Sequence, residues 1–151
     1  MQPSSVQDKD TQMDKLEVEQ LAEARQQQHR PLVLIIEGNQ MQRRLYDLVK
    51  DEVGMIPYIV QSSQEAVSAA EALDFNLIII DLKMPDTYGL ECAKQLQNLD
   101  RKRGTKTPTI AVTANAMLGD REKCMNAGMD DYLSKPFTLA ELKQKISTWA
   151  A

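Results

Sequence analysis

Four polar residues, three of them ionisable, each follow or end a predicted strand. Glu37 follows Leu32 to Ile36, Asp81 follows Leu77 to Ile80, Thr113 ends the run from Thr109, and Lys135 follows Tyr132-Leu133-Ser134. Two carboxylates, a hydroxyl and an ammonium make a coherent set if folding gathers them. A hard divalent cation such as Mg²⁺ takes oxygen ligands of this kind, keeps several waters and often shares its site with phosphate. A lysine pairs with a carboxylate, or with a phosphoryl oxygen that the carboxylate has acquired, and a hydroxyl bonds the same oxygens. The set suits transfer of a phosphoryl group onto an aspartate, with the protein mainly supplying charge compensation. The alternative is a buried ion pair beside a strand-end threonine.

The elements that must position these groups follow from periodicity. Leu77-Ile78-Ile79-Ile80 is a run rich in β-branched residues, the pattern of a central parallel strand buried on both faces. Leu32 to Ile36 and Thr109 to Thr113 read the same way. Ile56 to Val60, with Pro57 near its start, suits a strand nearer the sheet edge. Tyr132 to Ser134 is a short fifth strand. Between them lie helical stripes: Met41, Leu45, Leu48 and Val49, ending at Gly54; Ala66, Val67, Ala70 and Leu73, from a start at Ser63; Leu90 to Leu99; Met117 to Met125, closed by Gly128; and Leu139, Leu142, Ile146 and Trp149. Thr138 with Glu141 three residues on predicts a capping box for the last helix. Arg101-Lys102-Arg103 reads as a solvated loop. Met117, Met125 and Met129 read as core filling.

Strict alternation of five strands and five helices implies an α/β fold with a parallel sheet covered on both sides. Right-handed crossovers favour a doubly wound, flavodoxin-like (βα)5 sandwich with strand order 2-1-3-4-5. In such a sheet the C-terminal ends of all strands share one rim, which is where Glu37, Asp81, Thr113 and Lys135 fall.

Residues 1–30 differ in composition, being rich in Gln, Asp, Glu and Lys. Met13, Leu16, Val18, Leu21 and Ala24 give a weak helical stripe there. This stretch reads either as a frayed polar linker or as a short signalling helix leading in from an upstream domain. Pro31 marks the expected boundary, leaving 31–151 as the folded domain.

At 151 residues and 42% hydrophobic content, the chain supports one well-cored domain. Its net charge of −4 argues against general attraction to nucleic acid or an anionic membrane surface. No apolar run is long enough to span a bilayer, and the N-terminus does not read as a signal peptide. Cys92, Cys124 and the single histidine, His29, lack metal-ligand spacing. The expected compartment is the cytoplasm.

Three motifs resemble one family jointly: Asp81-Leu82-Lys83-Met84-Pro85 with Gly89 following, Thr113-Ala114, and Lys135-Pro136-Phe137. Over residues 32 to 150 the chain is similar to the receiver domains of two-component signalling. The run from Gly119 to Cys124, with Ala127-Gly128-Met129-Asp130-Asp131-Tyr132, looks most like receivers attached to hybrid histidine kinases. The resemblance implies that Asp81 accepts a phosphoryl group from phosphohistidine. It also implies that Glu37, Asp81 and the backbone carbonyl of Lys83 ligate Mg²⁺, and that Lys135 neutralises a phosphoryl oxygen. Thr113 and Tyr132 become the switch pair, and Lys135-Pro136 is expected to be cis. The implied partner is a histidine kinase or histidine phosphotransfer domain, docked on the helix after the first strand. The fourth helix, fifth strand and last helix counted from Pro31 form the implied output face, with a homodimer as one use of it.

The chain departs from the family at Glu37-Gly38, where two adjacent acids are usual. Gly38 offers no side-chain ligand, which should weaken the metal. Two readings stay open: a phospho-acceptor, or a pseudo-receiver that docks proteins independently of phosphorylation. A flavodoxin-like cofactor binder fits poorly, because Glu37-Gly38-Asn39 places a carboxylate where a phosphate would sit.

Overall fold

The computed structural model describes residues 13–83, 89–114 and 119–150. Helix α1 (Lys15–Gln28) precedes five strand-helix pairs. These are β1 (Leu32–Ile36) and α2 (Gln40–Val53), β2 (Ile56–Val60) and α3 (Ser63–Ala72), β3 (Leu77–Asp81) and α4 (Gly89–Arg103), β4 (Thr109–Thr113) and α5 (Asp120–Asn126), and β5 (Asp131–Ser134) and α6 (Leu139–Trp149). Every strand pairing is parallel and the order is β2-β1-β3-β4-β5, as the alternation leads one to expect.

The central strands are buried on both faces, which is why they read as unbroken apolar runs rather than alternating ones. Successive side chains of β1 go to opposite sides. Leu32, Leu34 and Ile36 join Ala66, Ala69, Cys92, Leu96 and Cys124 on one face. Val33 and Ile35 join Tyr46, Leu142 and Ile146 on the other. Burying each large aliphatic side chain stabilises the fold by roughly 1.5–3 kcal/mol, so these two layers fix the sheet that carries the rim. The caps are local. Thr138 and Glu141 form the expected capping box on α6, and α3 starts at Ser63 as expected, capped by the Ser62 side chain.

Three helical expectations change. In α2 most of the apolar stripe faces outward: Met41 is 81% and Leu48 76% exposed, and of the stripe Val49 packs inward, alongside Tyr46 and Val53. Arg101, Lys102 and Arg103 form the last turn of α4, where cations meet the negative end of the helix dipole. Met125 is exposed and Met129 buried. Met84, Pro85 and Met117 lie outside the described residues.

Helix α1 is opened by a capping box between Asp14 and Glu17. Met13, Val18, Leu21, Ala22 and Ala24 pack against the core layer beneath edge strand β2, while Leu16 is exposed. Arg25 Nη1 donates to the Asp74 carbonyl at 2.6 Å and to Asn76 Oδ1 at 3.3 Å. Asn76 Oδ1 also accepts from the Leu32 N–H, so α1 is tied to the start of β1. Burial, and the carboxylates of Glu17, Glu65 and Asp14, push the Tyr58 phenol up to about 12.

Candidate functional site

Register decides which side chains meet. Ile36 pairs with Ile80, so Glu37 and Asp81 stand level on adjacent strands. Asp81 pairs with Val112, which places Thr113 one step further along the rim. Thr113 pairs with Ser134, and Lys135 follows at once, its N–H donating to the Thr113 carbonyl at 2.8 Å. The Lys135-Pro136 bond is cis.

The structure brings Glu37, Asp81 and Lys135 into contact. Lys135 Nζ donates to Asp81 Oδ2 at 2.8 Å and to Glu37 Oε1 at 3.4 Å. Glu37 is 1% and Asp81 7% exposed. The Lys83 N–H donates to Asp81 Oδ1 at 3.0 Å and fixes the carboxylate from the other side. Thr113 lines a cavity of about 100 Å³ with Asp81, Leu82, Lys83, Ala114, Asp120 and Lys135. That volume suits a group the size of a phosphoryl, given that a water takes about 30 Å³. Tyr132 is half-buried on β5, with the Arg121 guanidinium carbon 5.2 Å from its ring centre.

Two contributors were not foreseen. Asp120 is a buried carboxylate that accepts from Thr113 Oγ1 at 2.5 Å. Its place depends on the route of the chain after β4, and the Gly119-Asp120 pair carries no chemical signal of it. Arg43 reaches back from α2, and its Nη1 donates to the carbonyls of Glu37 at 3.2 Å and Gly38 at 2.8 Å. The loop after β1 is thus braced through its backbone. The i to i+5 spacing from Gly38 is compatible with that brace but does not single it out.

A larger cavity of about 270 Å³ opens beside Asp100, Lys106 and Asp130, at the N-terminal ends of β4 and β5. Its carboxylates serve the chain itself: Asp100 accepts from Thr105 and Thr107, and Asp130 from the Thr109 N–H and Lys106. The chemistry therefore gathers at the opposite rim.

A scan of family models matches residues 33–147 to the response regulator receiver domain. The chain belongs to this family. Among curated proteins, this receiver is 36% identical over 104 residues to the signal transduction histidine-protein kinase BarA of Shigella flexneri, covering 69% of the chain and 11% of the kinase. It is 35% identical over 121 residues to hybrid signal transduction histidine kinase G of Dictyostelium discoideum, covering 78% and 3%. The chain thus spans a small fraction of the curated relatives it matches. Among solved structures, the receiver domain of sensor histidine kinase PA1611 from Pseudomonas aeruginosa, crystallised with magnesium in its active-site cleft, aligns with a TM-score of 0.72 at 32% identity. That alignment covers 80% of this chain and 98% of the other. The Saccharomyces cerevisiae Ssk1 receiver, crystallised with the histidine phosphotransfer protein Ypd1, aligns with a TM-score of 0.74 at 28% identity, covering 80% and 89%.

The electrostatics of this receiver's site reflect two acids sharing one cation. Burial, and the side-chain hydrogen bond with Asp81, push Glu37 up to about 7 from an ordinary 4.5. Burial works against the Lys135 ammonium, but the bond to Asp81 and the charge of Glu37 outweigh it and hold the group above the usual lysine range. Between pH 4.5 and 7 the folded chain keeps a proton on Glu37 that the unfolded chain has released. Stability of the metal-free protein should therefore fall as pH rises through that window and level off above it. Glu37→Gln should remove this fall, so the variant gains on the parent toward pH 8. Urea melts of both proteins in chelator at pH 5, 6, 7 and 8 check this; parallel curves would show that Glu37 is ionised throughout.

Proposed function

We propose that the domain accepts a phosphoryl group from a phosphohistidine onto Asp81 and thereby switches a protein-interaction face. One observation carries the reading: Lys135 Nζ lies 2.8 Å from Asp81 Oδ2 at a small cavity that Thr113 also lines. The phosphorus–nitrogen bond to the donor imidazole breaks, a phosphorus–oxygen bond to Asp81 forms, and the imidazole leaves as the neutral base after taking a proton. Lys135 meets the charge that arrives with the phosphoryl group, and Thr113 supplies a hydroxyl to another of its oxygens.

Mg²⁺ fits the donor set. Glu37, Asp81 and the Lys83 carbonyl are hard oxygen donors, and a site for this ion needs only one or two protein carboxylates. Glu37 and Asp81 are buried side by side, and that concentration of acidic oxygens is what a cation would compensate. When bound, the ion supplies further neutralisation of the phosphoryl oxygens. Gly38 adds no ligand, which favours a second reading as a pseudo-receiver that docks proteins without phosphorylation.

The partner is a histidine kinase or histidine phosphotransfer domain, and α2 offers it a surface. Met41, Leu45 and Leu48 form an exposed apolar stripe beside the β1 rim, at the spacing of one helix face. In a longer chain like the relatives, the domain would act as the receiver of a hybrid histidine kinase. The α5–β5–α6 side is the output face and a homodimer surface.

Incubation with a labelled phosphohistidine donor and Mg²⁺ tests both readings. The parent should take up acid-stable, base-labile label and Asp81→Asn none. Gly38→Asp should lower the Mg²⁺ concentration needed by about tenfold, the effect of regaining one carboxylate ligand. Label on Asp81→Asn would overturn the assignment of Asp81. No label on the parent or on Gly38→Asp, at millimolar-scale Mg²⁺, would establish the docking module.

A further inference from the structure

We propose that Asp120 and Arg121, consecutive residues in the first turn of α5, form a latch that holds Thr113 and Tyr132 in the unphosphorylated arrangement. The inference rests on the phospho-acceptor reading and adds the device that resists the switch.

Thr113 has one hydroxyl proton to donate. In this structure it goes to Asp120 Oδ2 at 2.5 Å, with Thr113 4% and Asp120 7% exposed. A bond to a carboxylate in such a dry setting is among the stronger hydrogen bonds a protein makes. A phosphoryl oxygen on Asp81 needs the same proton. Asp120 lines the same cavity, so its carboxylate competes for the donor and also repels the incoming anion. Giving up Thr113 leaves Asp120 buried without that donor, which is costly where the group sits.

The neighbouring residue carries the consequence outward. Arg121 lies over the Tyr132 ring, 5.2 Å from its centre, and is itself exposed. One helical turn therefore touches both switch residues. If Asp120 lets go and that turn shifts, Arg121 shifts with it and Tyr132 loses its cation. Thr113 and Tyr132 belong to neighbouring strands β4 and β5, where their pairing partners are Ser134 and Ala111, and the first turn of α5 adds a second link between them.

The test uses the full chain with NMR of the Thr113 methyl and Tyr132 ring, and beryllofluoride with Mg²⁺ as the phosphoryl mimic. Without ligand, Asp120→Ala should move both resonances toward their positions in the mimic-saturated parent. Its mimic midpoint should fall about tenfold, in keeping with loss of one competing hydrogen bond to a charged group. Asp120→Asn keeps an acceptor for Thr113 and should leave the ligand-free resonances near the parent's. Arg121→Ala should move Tyr132 and leave Thr113 in place.

The latch is wrong if Asp120→Ala lowers thermal stability while Tyr132 stays still. It is equally wrong if Asp120→Asn shifts the midpoint as far as alanine does, since charge alone would then explain the effect. A parent that ignores beryllofluoride, like its Asp81→Asn control, would sink the phospho-acceptor reading. The ligand-free resonances of Asp120→Ala and Asp120→Asn would still judge the latch, by whether Thr113 and Tyr132 move together.

Discussion

Lys135→Ala is expected to slow labelling of Asp81 by at least tenfold and to destabilise the domain increasingly as pH rises. The ammonium is the one cation paired with the side-chain carboxylates of Asp81 and Glu37 among the described residues. Removing a charged partner from a hydrogen bond forfeits about 1.5–3 kcal/mol, or roughly ten- to a hundredfold in rate if the interaction is fully made in the transition state. The stability change has a different size because Glu37 has an escape. Breaking a buried pair costs about 3–5 kcal/mol when the remaining charge cannot be relieved. Here Glu37, pushed up to about 7, already takes a proton near neutrality, so protonation of Glu37 absorbs part of the penalty at pH 6 and little of it at pH 8. Urea melts of parent and variant at those two pH values, with initial labelling rates beside them, check both statements. A variant that labels at the parent's rate would remove Lys135 from the chemistry and leave it a structural cation.

Arginine at this position separates charge from geometry. Lysine presents a compact ammonium on a flexible stem, whereas the guanidinium is a planar fork. Lys135→Arg should keep most of the stability that charge provides and recover little of the labelling rate, because Asp81 and Glu37 are met at 2.8 and 3.4 Å by one nitrogen.

The parts of the fold visible in the sequence are those set by short-range pattern. β3 reads directly because burial on both faces demands apolar side chains at successive positions, and its end is marked by the change to Asp81. Once strand ends are known, a parallel sheet places Glu37, Asp81, Thr113 and Lys135 on one rim with no further information. The parts that stayed hidden depend on what lies opposite a side chain. Met41, Leu45 and Leu48 have the spacing of a buried stripe, yet the inward face of α2 is carried by Tyr46 and Val53. Apolar periodicity records that one face avoids water, and a partner protein satisfies that as well as a core does. Asp120 was hidden for a related reason: a lone acid at a helix start ordinarily complements the dipole. Only the path of the chain turns it toward Thr113. The packing of α1 was equally illegible, because its stripe is short and its strongest tie is Arg25 to a carbonyl and an amide 49 and 51 residues away.

Gly89→Ala should destabilise the domain by about 2 kcal/mol and slow labelling at Asp81, although alanine is the better helix former. Gly89 opens α4 and its N–H donates to the Leu82 carbonyl at 2.9 Å, pressing the helix start onto the end of β3. A methyl there would lie 2.7 Å from Leu82 Cα, 2.8 Å from the Asp81 carbonyl oxygen and 3.2 Å from Ile80 Cγ2. The first two are backbone atoms that no rotamer change can move aside. Helix propensity favours alanine by about 1 kcal/mol, while overpacking of this kind costs about 1–3 kcal/mol and more when backbone must shift. The clash therefore wins, and the backbone that yields is the segment carrying Asp81 and the Lys83 N–H bonded to it. Gly104→Ala is the matched control. Gly104 has φ +70° and open space around it, so alanine there meets left-handed backbone strain of about 1–2 kcal/mol with no contact to the rim. Both variants should lower the urea midpoint, but only Gly89→Ala should reduce the initial labelling rate. If the two label alike, the close approach of α4 to β3 supports the fold without setting the aim of Asp81.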